Sequence, residues 1–277
     1  MLQAPQRTGL SGPTLIRLLT RLTDADVQQS RQSLSDHLSQ WLGWTDAIAL
    51  SAALNTKPPV IAPGARQFGS AEERECVRVR NTLADAIASD TAATAAKRLA
   101  PGQAPAKKKL AALAEADFDY SSFRQRYLSL QHTMETSIGN LRSRLRGMVA
   151  ARNGEWTRLA VVDAIMDRAL LPKERALLGA IPKLLQGHFD RLRQAEEAAL
   201  AQAAADAGAE VDAQASADAP SGDGTQARPD AAATAAPAAA PGAWLDTFRA
   251  DMRSVLLAEL EVRLQPVEGL LAALRAS

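Results

Sequence analysis

Apolar residues recur every three or four positions along residues 121–152, which is the spacing of an amphipathic α-helix. Eight of them fall on one side of that helix, within an arc of roughly 80°. A stripe this narrow and long is typical of a coiled coil or a helical hairpin, in which one helix packs along another. We call this stripe the interaction seam, and its residues are Phe123, Tyr127, Leu130, Met134, Ile138, Leu141, Leu145 and Met148.

The same spacing predicts helices before the seam. Pro13 can occupy the first turn of a helix with the sequence TLIRLLTRL, and a single helix is expected over residues 24–54. The prolines and glycines of residues 55–69 predict a loop. Another helix is expected to start at Ser70, because Ser70 and Glu73 have the spacing of a capping box, in which each side chain binds a backbone N–H.

Two prolines are expected to shape the chain after the seam. The helical pattern resumes over residues 155–170, and Pro172 is expected to open the next helix. Pro182 is expected to kink that helix, because proline lacks the backbone N–H and collides with the preceding turn.

The end of the chain changes composition twice. Residues 207–242 are dominated by Ala, Pro, Gly, Asp and Ser, a composition that predicts a disordered linker. Residues 243–277 are amphipathic again, and Pro266 is expected to end or bend this helix. An isolated helix is marginal in water, so its apolar face must dock on the bundle, on a second copy or on another protein. We call this face the tail docking face, and its residues are Leu245, Phe248, Met252, Val255, Leu256 and Leu260.

Together these elements predict an all-α protein. The expected architecture is an elongated helical bundle or coiled-coil hairpin, followed by a disordered Ala/Pro linker and a C-terminal amphipathic helix. No strand-type alternation persists along the sequence. The expected segments are a disordered start at 1–12, an N-terminal helical region at 13–89, a flexible basic connector at 90–117, a central helical region at 118–206, the linker at 207–242 and the tail helix at 243–277.

Composition narrows the class of protein without identifying an activity. The formal net charge of +1 gives no overall preference for nucleic acid or acidic membranes. The N-terminal sequence lacks the apolar core of a signal peptide, and no uninterrupted apolar run predicts a membrane span. The single cysteine excludes a disulfide framework within the chain. A cytoplasmic protein without a transmembrane segment is therefore expected.

No arrangement of residues predicts catalysis, a metal site or a cofactor. His37, His132 and His188 lie far apart on different predicted helices. Cys76 falls on the apolar stripe of its predicted helix, which favours core packing over reactivity. The motifs of phosphate-binding loops, dinucleotide-binding turns and nucleophile elbows do not occur in the sequence. We therefore expect a protein that is not an enzyme and binds no cofactor.

Trp41 and Trp44 permit two interpretations. They share one face of the helix predicted over residues 24–54. Exposed, they would form an anchor for a partner, because tryptophan is enriched at interface hot spots. Burial in the N-terminal core is favoured, because the chain offers few other large side chains for that core.

Five arginines border the interaction seam in two rows, and positions of this kind can select a partner helix by charge. Together with Lys107–Lys109 these arginines can instead contact phosphates. Residues 97–158 carry twelve Lys/Arg against five Asp/Glu, whereas residues 195–230 carry one against eight. The basic region can therefore meet an acidic stretch of its own chain or a different partner. We call the arginines the basic flanks: Arg124, Arg142 and Arg146 on one side, Arg126 and Arg144 on the other.

Several stretches resemble a bacterial family of uncharacterised, mostly helical proteins. They are "SGPTLIRLLTRL" with "LGWTDAIALSAAL", and "FRQRYLSLQHTMETSIGNLRSRLR", followed by the Ala/Pro linker and the helical tail. The likeness rests on residues 10–54 and 118–190. It implies genes located beside those for MotA/TolQ-like and OmpA-like envelope proteins, and hence an accessory of a cell-envelope assembly. The likeness identifies no catalytic or binding residue in this sequence.

The sequence therefore predicts a non-catalytic scaffold or adaptor. Its partner is expected to be another protein or a second copy of the chain, bound through helices. Binding of nucleic acid by the basic central region is the less favoured alternative.

Overall fold

The structure is a computed structural model, and it describes residues 13–23, 32–55, 68–96, 119–152, 154–217 and 242–276. Within these segments the regular secondary structure is entirely helical, which confirms the predicted all-α class. The predicted disorder of residues 1–12, and most of the predicted connector and linker, lie outside the described residues. The helices of the described segments are α1 (Thr14–Thr23), α2 (Leu34–Trp41), α3 (Trp44–Asn55), α4 (Ser70–Ala96), α5 (Tyr120–Ala150), α6 (Gly154–Leu178), α7 (Ile181–Ala217) and α8 (Ala243–Arg275).

The N-terminal region contains two short helices where one was expected. The prediction of a single helix over residues 24–54 is wrong, because α2 ends at Trp41 and α3 begins at Trp44. Leu42 between them has an extended backbone, with ψ of 122°. Gly43 follows it, and glycine favours a break because it loses more conformational freedom in a helix than other residues.

Capping side chains define the starts of α2 and α4. The Ser33 hydroxyl accepts a hydrogen bond from the Asp36 N–H at 3.1 Å, and the Asp36 carboxylate accepts one from the Ser33 N–H at 3.0 Å. Helix α4 starts at Ser70 as predicted, but the predicted capping contact between Ser70 and Glu73 is replaced by a single contact between Glu72 and Gly69. The Glu72 carboxylate accepts a hydrogen bond from the Gly69 N–H at 3.0 Å, so Gly69 precedes the first turn.

Both central prolines occupy positions other than those predicted. Pro172 lies inside α6, which continues to Leu178, so the prediction that it opens a helix is wrong. Pro182 lies in the first turn of α7, where the N–H that proline lacks would have no helical partner, so the predicted kink is wrong as well. The chain breaks at Gly179, where an added Cβ would lie 2.7 Å from the Arg175 carbonyl oxygen. Glycine therefore fits there without displacing backbone atoms.

Three helices extend further than the sequence pattern predicts. Helix α4 runs to Ala96, past the expected start of the connector at residue 90. Helix α7 runs to Ala217, past the expected start of the linker at residue 207, because alanine has the highest helix propensity. Helix α8 continues through Pro266, so the predicted end at this proline is wrong. The neighbouring side chains of Leu264 and Val267 are buried, and their packing offsets the hydrogen bond that proline removes.

Helix α8 lies at the centre of the bundle. It packs against α1, α4, α5 and α7, and sixteen of its residues are buried. The tail helix therefore docks within its own chain, which was one of the three expected possibilities. Helix α6 packs on α5, and α2 and α3 pack on α6 as an outer layer. Among the described helices, none combines the length and hydrophobicity needed to cross a bilayer.

Candidate interaction surfaces

The interaction seam and the tail docking face pack against each other. Seven residues of the seam are buried, and the eighth, Leu130, packs partly buried against the core. All six residues of the tail docking face are buried. Phe123 of α5 meets Phe248 of α8 edge to face, with ring centroids 5.2 Å apart. The structure thus brings the two predicted faces together within one chain.

A polar cluster lies inside the bundle where α5, α6 and α8 meet. The Glu259 carboxylate has no exposed surface. It accepts hydrogen bonds from the Tyr127 hydroxyl at 2.7 Å, from the Gln131 amide at 2.9 and 3.0 Å, and from the Arg263 guanidinium at 2.9 Å. Arg263 also binds the Glu174 carboxylate of α6 at 2.8 Å. We call these five residues the polar cluster.

Burial changes the acid–base properties of two residues in the polar cluster. Burial, reinforced by the negative charge of Glu259, raises the pKa of the Tyr127 phenol above its ordinary range. Burial also raises the pKa of the Glu174 carboxyl, while Arg263 opposes that rise. The phenol therefore stays protonated and donates to Glu259. The Glu259 carboxylate is fully enclosed and held by three donors, so the cluster joins α5, α6 and α8.

The polar cluster was not predicted from the sequence. The available signal was that Glu259 and Arg263 are four residues apart inside the apolar side of the tail helix, where charged residues are normally rare. Their partners Tyr127 and Gln131 lie more than a hundred positions away in the sequence. Only the packing of α5 on α8 brings the donors to the carboxylate.

Two arginines of the basic flanks bind the same pair of carboxylates on α6. Arg142 and Arg146 of α5 face Asp163 and Asp167 of α6, and each guanidinium contacts both carboxylates. The closest nitrogen–oxygen distance is 2.6 Å in all four pairs. Charge-assisted contacts of this length are among the stronger hydrogen bonds in proteins. We call these four residues the α5–α6 clamp.

The other basic flank residues have different surroundings. Arg144 pairs with Glu75 of α4 at 3.4 Å. The Arg126 guanidinium carbon lies 6.0 Å from the centroid of the Phe123 ring, while Arg124 is exposed. The two arginine rows therefore serve largely for contacts between α5 and neighbouring helices of the same chain.

The outer layer carries an exposed apolar face. The Trp44 side chain is 82% exposed and Ile48, one turn further along α3, is 55% exposed. On the side of α3 that meets α6, Asp46 pairs with Arg168 at 3.2 Å. We call the exposed side the outer face of α3, and its residues are Trp44, Ile48, Ser51, Ala52 and Asn55.

The expectation that both tryptophans build the N-terminal core is wrong for Trp44. The break between α2 and α3 places the two residues on different helices. Trp41 is half-buried, and its ring lies 5.8 Å from the His37 ring. The largest side chain of α3 is therefore left facing solvent.

The histidines and the cysteine have different surroundings in the described part of the chain. No group of three or more His, Cys, Asp or Glu residues there is placed to hold a metal ion. His188 contacts the Asp251 carboxylate at 2.9 Å. Burial raises the pKa of the Cys76 thiol, with Arg144 opposing that rise, and a raised pKa lowers the fraction of reactive thiolate.

Comparison with known proteins gives one family. The sequence model of the family described as "Protein of unknown function (DUF3348)" matches residues 1–276, a range that includes every helix described above. No curated protein and no solved structure matches the chain.

Proposed function

The chain belongs to DUF3348, a family of proteins of unknown function, and for this member we propose a role as a non-catalytic scaffold or adaptor that acts through helix–helix contacts. The observation that carries the proposal is the outer face of α3, on which Trp44 is 82% exposed. Large apolar side chains that face solvent together mark interaction sites, and tryptophan is enriched among the residues that dominate binding energy.

The packing of the other helices supports the assignment of binding to α3. The interaction seam and the tail docking face bury each other inside the bundle, so a partner that used either would have to displace a core helix. The outer layer is attached to the bundle through α6. A partner can therefore bind the outer face of α3 without disturbing the core.

Nucleic-acid binding has less support as an alternative. Arg142 and Arg146 are held by two carboxylates of α6, and Arg144 pairs with Glu75. Contact with phosphate would require these guanidinium groups to exchange a neighbouring carboxylate for the phosphate. Lys107–Lys109, which contributed to this alternative, lie outside the described residues.

We extend the proposal to a cytoplasmic accessory of a cell-envelope assembly. This extension rests on the resemblance noted in the sequence, which associates the family with envelope proteins encoded nearby. Membership of a family does not by itself identify a partner, so the binding surface on α3 is the part of the proposal that the structure supports.

Site-specific photocrosslinking tests the proposal. A photoreactive amino acid would replace Trp44 in cells that produce the full chain, and the products would be separated by mass after irradiation. We expect a protein adduct at this position, because binding of a partner would bring its atoms within reach of the probe. The matched control is the same probe at Leu177, a 61% exposed apolar residue of α6, where no adduct is expected.

Two results would contradict the proposal. One is a folded protein that gives no protein adduct at position 44. The other is an adduct that nuclease treatment removes, which would establish the nucleic-acid alternative.

A further inference from the structure

We propose that the outer face of α3 binds the same face of a second copy of this chain, with the two α3 helices antiparallel about a twofold axis. The inference rests on the proposed function, because it names the partner of the same surface. Three features of α3 bear on this dimer: its charge, the order of its side-chain sizes and its length.

The charge of α3 favours a second copy over a charged partner. Asp46 is the only ionisable residue among the twelve of this helix, and it already pairs with Arg168 of α6 at 3.2 Å. The outer face therefore offers no counter-charge to an acidic or basic partner. Repulsion between like charges opposes the association of identical surfaces. The outer face carries no charge, so two copies of it can approach without this repulsion.

The order of side-chain sizes along α3 favours the antiparallel direction. The outer face is large at its start, with Trp44 and Ile48, and small at its end, with Ser51 and Ala52, while the 51% exposed Leu54 lies to one side of this face. In an antiparallel pair Ile48 lies against Ser51 of the second copy, and Trp44 lies against Asn55. Large side chains then fill the space beside small ones, as close packing requires.

A parallel pair would pack the same residues poorly. Trp44 would meet Trp44 and Ile48 would meet Ile48, while a gap would open along Ser51 and Ala52. A twofold axis between antiparallel helices brings the same patch of both copies together. Twofold symmetry is the commonest symmetry of protein dimers. The antiparallel arrangement also lets the Asn55 amide oxygen accept a hydrogen bond from the indole N–H of the second copy's tryptophan.

The length of α3 sets the expected strength of the dimer. A helix of twelve residues is about 18 Å long, and two faces of this length bury less than about 1,200 Å² in total, the range of transient complexes. We therefore expect a reversible dimer whose population rises with protein concentration.

Sedimentation equilibrium of the purified full chain tests self-association. We expect a monomer–dimer equilibrium over the micromolar range. Trp44→Ser removes the tryptophan from both copies and should raise the dissociation constant by more than about thirtyfold, which is the effect of losing a single hot-spot side chain. Leu177→Ser removes an exposed apolar side chain from α6 and should leave the dissociation constant unchanged. Circular dichroism of both variants checks that the helices are intact.

Photocrosslinking of the purified chain tests the direction of the pair. A probe at position 44 should attach to the α3 peptide of the second copy between residues 51 and 55. Attachment near residue 44 of the second copy would indicate a parallel pair and overturn the proposed arrangement.

The two proposals fail in different ways. A chain that stays monomeric up to millimolar concentration overturns the dimer, even if position 44 captures a different protein in cells, and that result leaves the adaptor role intact. Failure to form any adduct at position 44, both in cells and in the purified sample, overturns both.

Discussion

Glu259 is a carboxylate enclosed in the middle of a helical bundle, held by donors from α5 and from its own helix. Replacing such a cluster by apolar side chains is often neutral for stability, whereas removing one partner leaves a buried charge unpaired. A shift of α8 by one residue along α5 would separate Glu259 from Tyr127 and Gln131. We infer that the polar cluster sets the register between these two helices.

The two tyrosines of the chain predict a loss of stability at alkaline pH. Burial raises the pKa of Tyr120 from 10.0 to about 12, and burial beside Glu259 raises that of Tyr127 further. Above pH 10 the unfolded chain releases these protons while the folded chain keeps them, so the free energy of unfolding should fall as pH rises from 10 towards 12. Urea unfolding followed by circular dichroism, with tyrosinate absorbance recorded in parallel, measures this.

Tyr127→Phe is the control for the alkaline effect. This variant loses one of the two titrating phenols, so its free energy of unfolding should fall less steeply over the same pH range. Tyrosinate absorbance that develops in the folded protein near pH 10 would contradict the buried environments of both rings.

At the scale of elements, the α5–α6 clamp ties two consecutive helices by two arginines and two aspartates. Arg142 and Arg146 are one turn apart on α5, and Asp163 and Asp167 are one turn apart on α6, so both pairs have the spacing that aligns side chains on one helix face. All four side chains are at most 30% exposed. Ion pairs in such positions are screened less by salt than exposed ones.

Asp163→Asn should destabilise the protein by about 1–3 kcal/mol, because Asp163 accepts hydrogen bonds from both arginines of the clamp. Glu197→Gln is the matched control. Its exposed pair with Arg193 on α7 should contribute only about 0.2–1 kcal/mol. Urea unfolding at low and high salt measures both free energies, and equal effects of the two substitutions would show that the clamp contributes no more than a surface pair.

The elements differ in how far the sequence could predict them. The spacing of the interaction seam was sufficient to predict α5 and its buried side, because a 3.6-residue period is a local property. Pro172 was expected to open a helix and Pro266 to end or bend one, yet both lie inside helices, because packing with distant residues overrides local preference. The exposure of Trp44 also escaped prediction, since it depends on a helix break and on where α3 lies on α6.

At the scale of the whole molecule, α8 is the common partner of α1, α4, α5 and α7. The sequence showed that this helix must dock but left open three partners, because amphipathy reveals an apolar face and not what covers it. The basic flanks have the same limit, because a row of arginines does not reveal which acidic residues it pairs with. The carboxylates of α6 that bind Arg142 and Arg146 could therefore not be identified among the many acidic residues of the chain.

Deleting residues 243–276 should abolish cooperative unfolding, because the four surrounding helices would lose the apolar surface they share. Thermal unfolding followed by circular dichroism measures this. A second test is the pair of substitutions Leu256→Asp and Leu260→Asp in the full chain. They place charges at two buried positions and should also abolish cooperative unfolding. A truncated chain with an unchanged cooperative transition would show that the bundle does not depend on α8.

The central position of α8 has a consequence for biosynthesis. Every other helix of the bundle precedes α8 in the chain, so on the ribosome these helices emerge before the element that they surround. Their apolar sides stay uncovered until α8 has left the exit tunnel, and nascent chains with uncovered apolar surface are bound by chaperones. Completion of translation through α8, and not the emergence of the long central helix, is therefore the step that permits native folding.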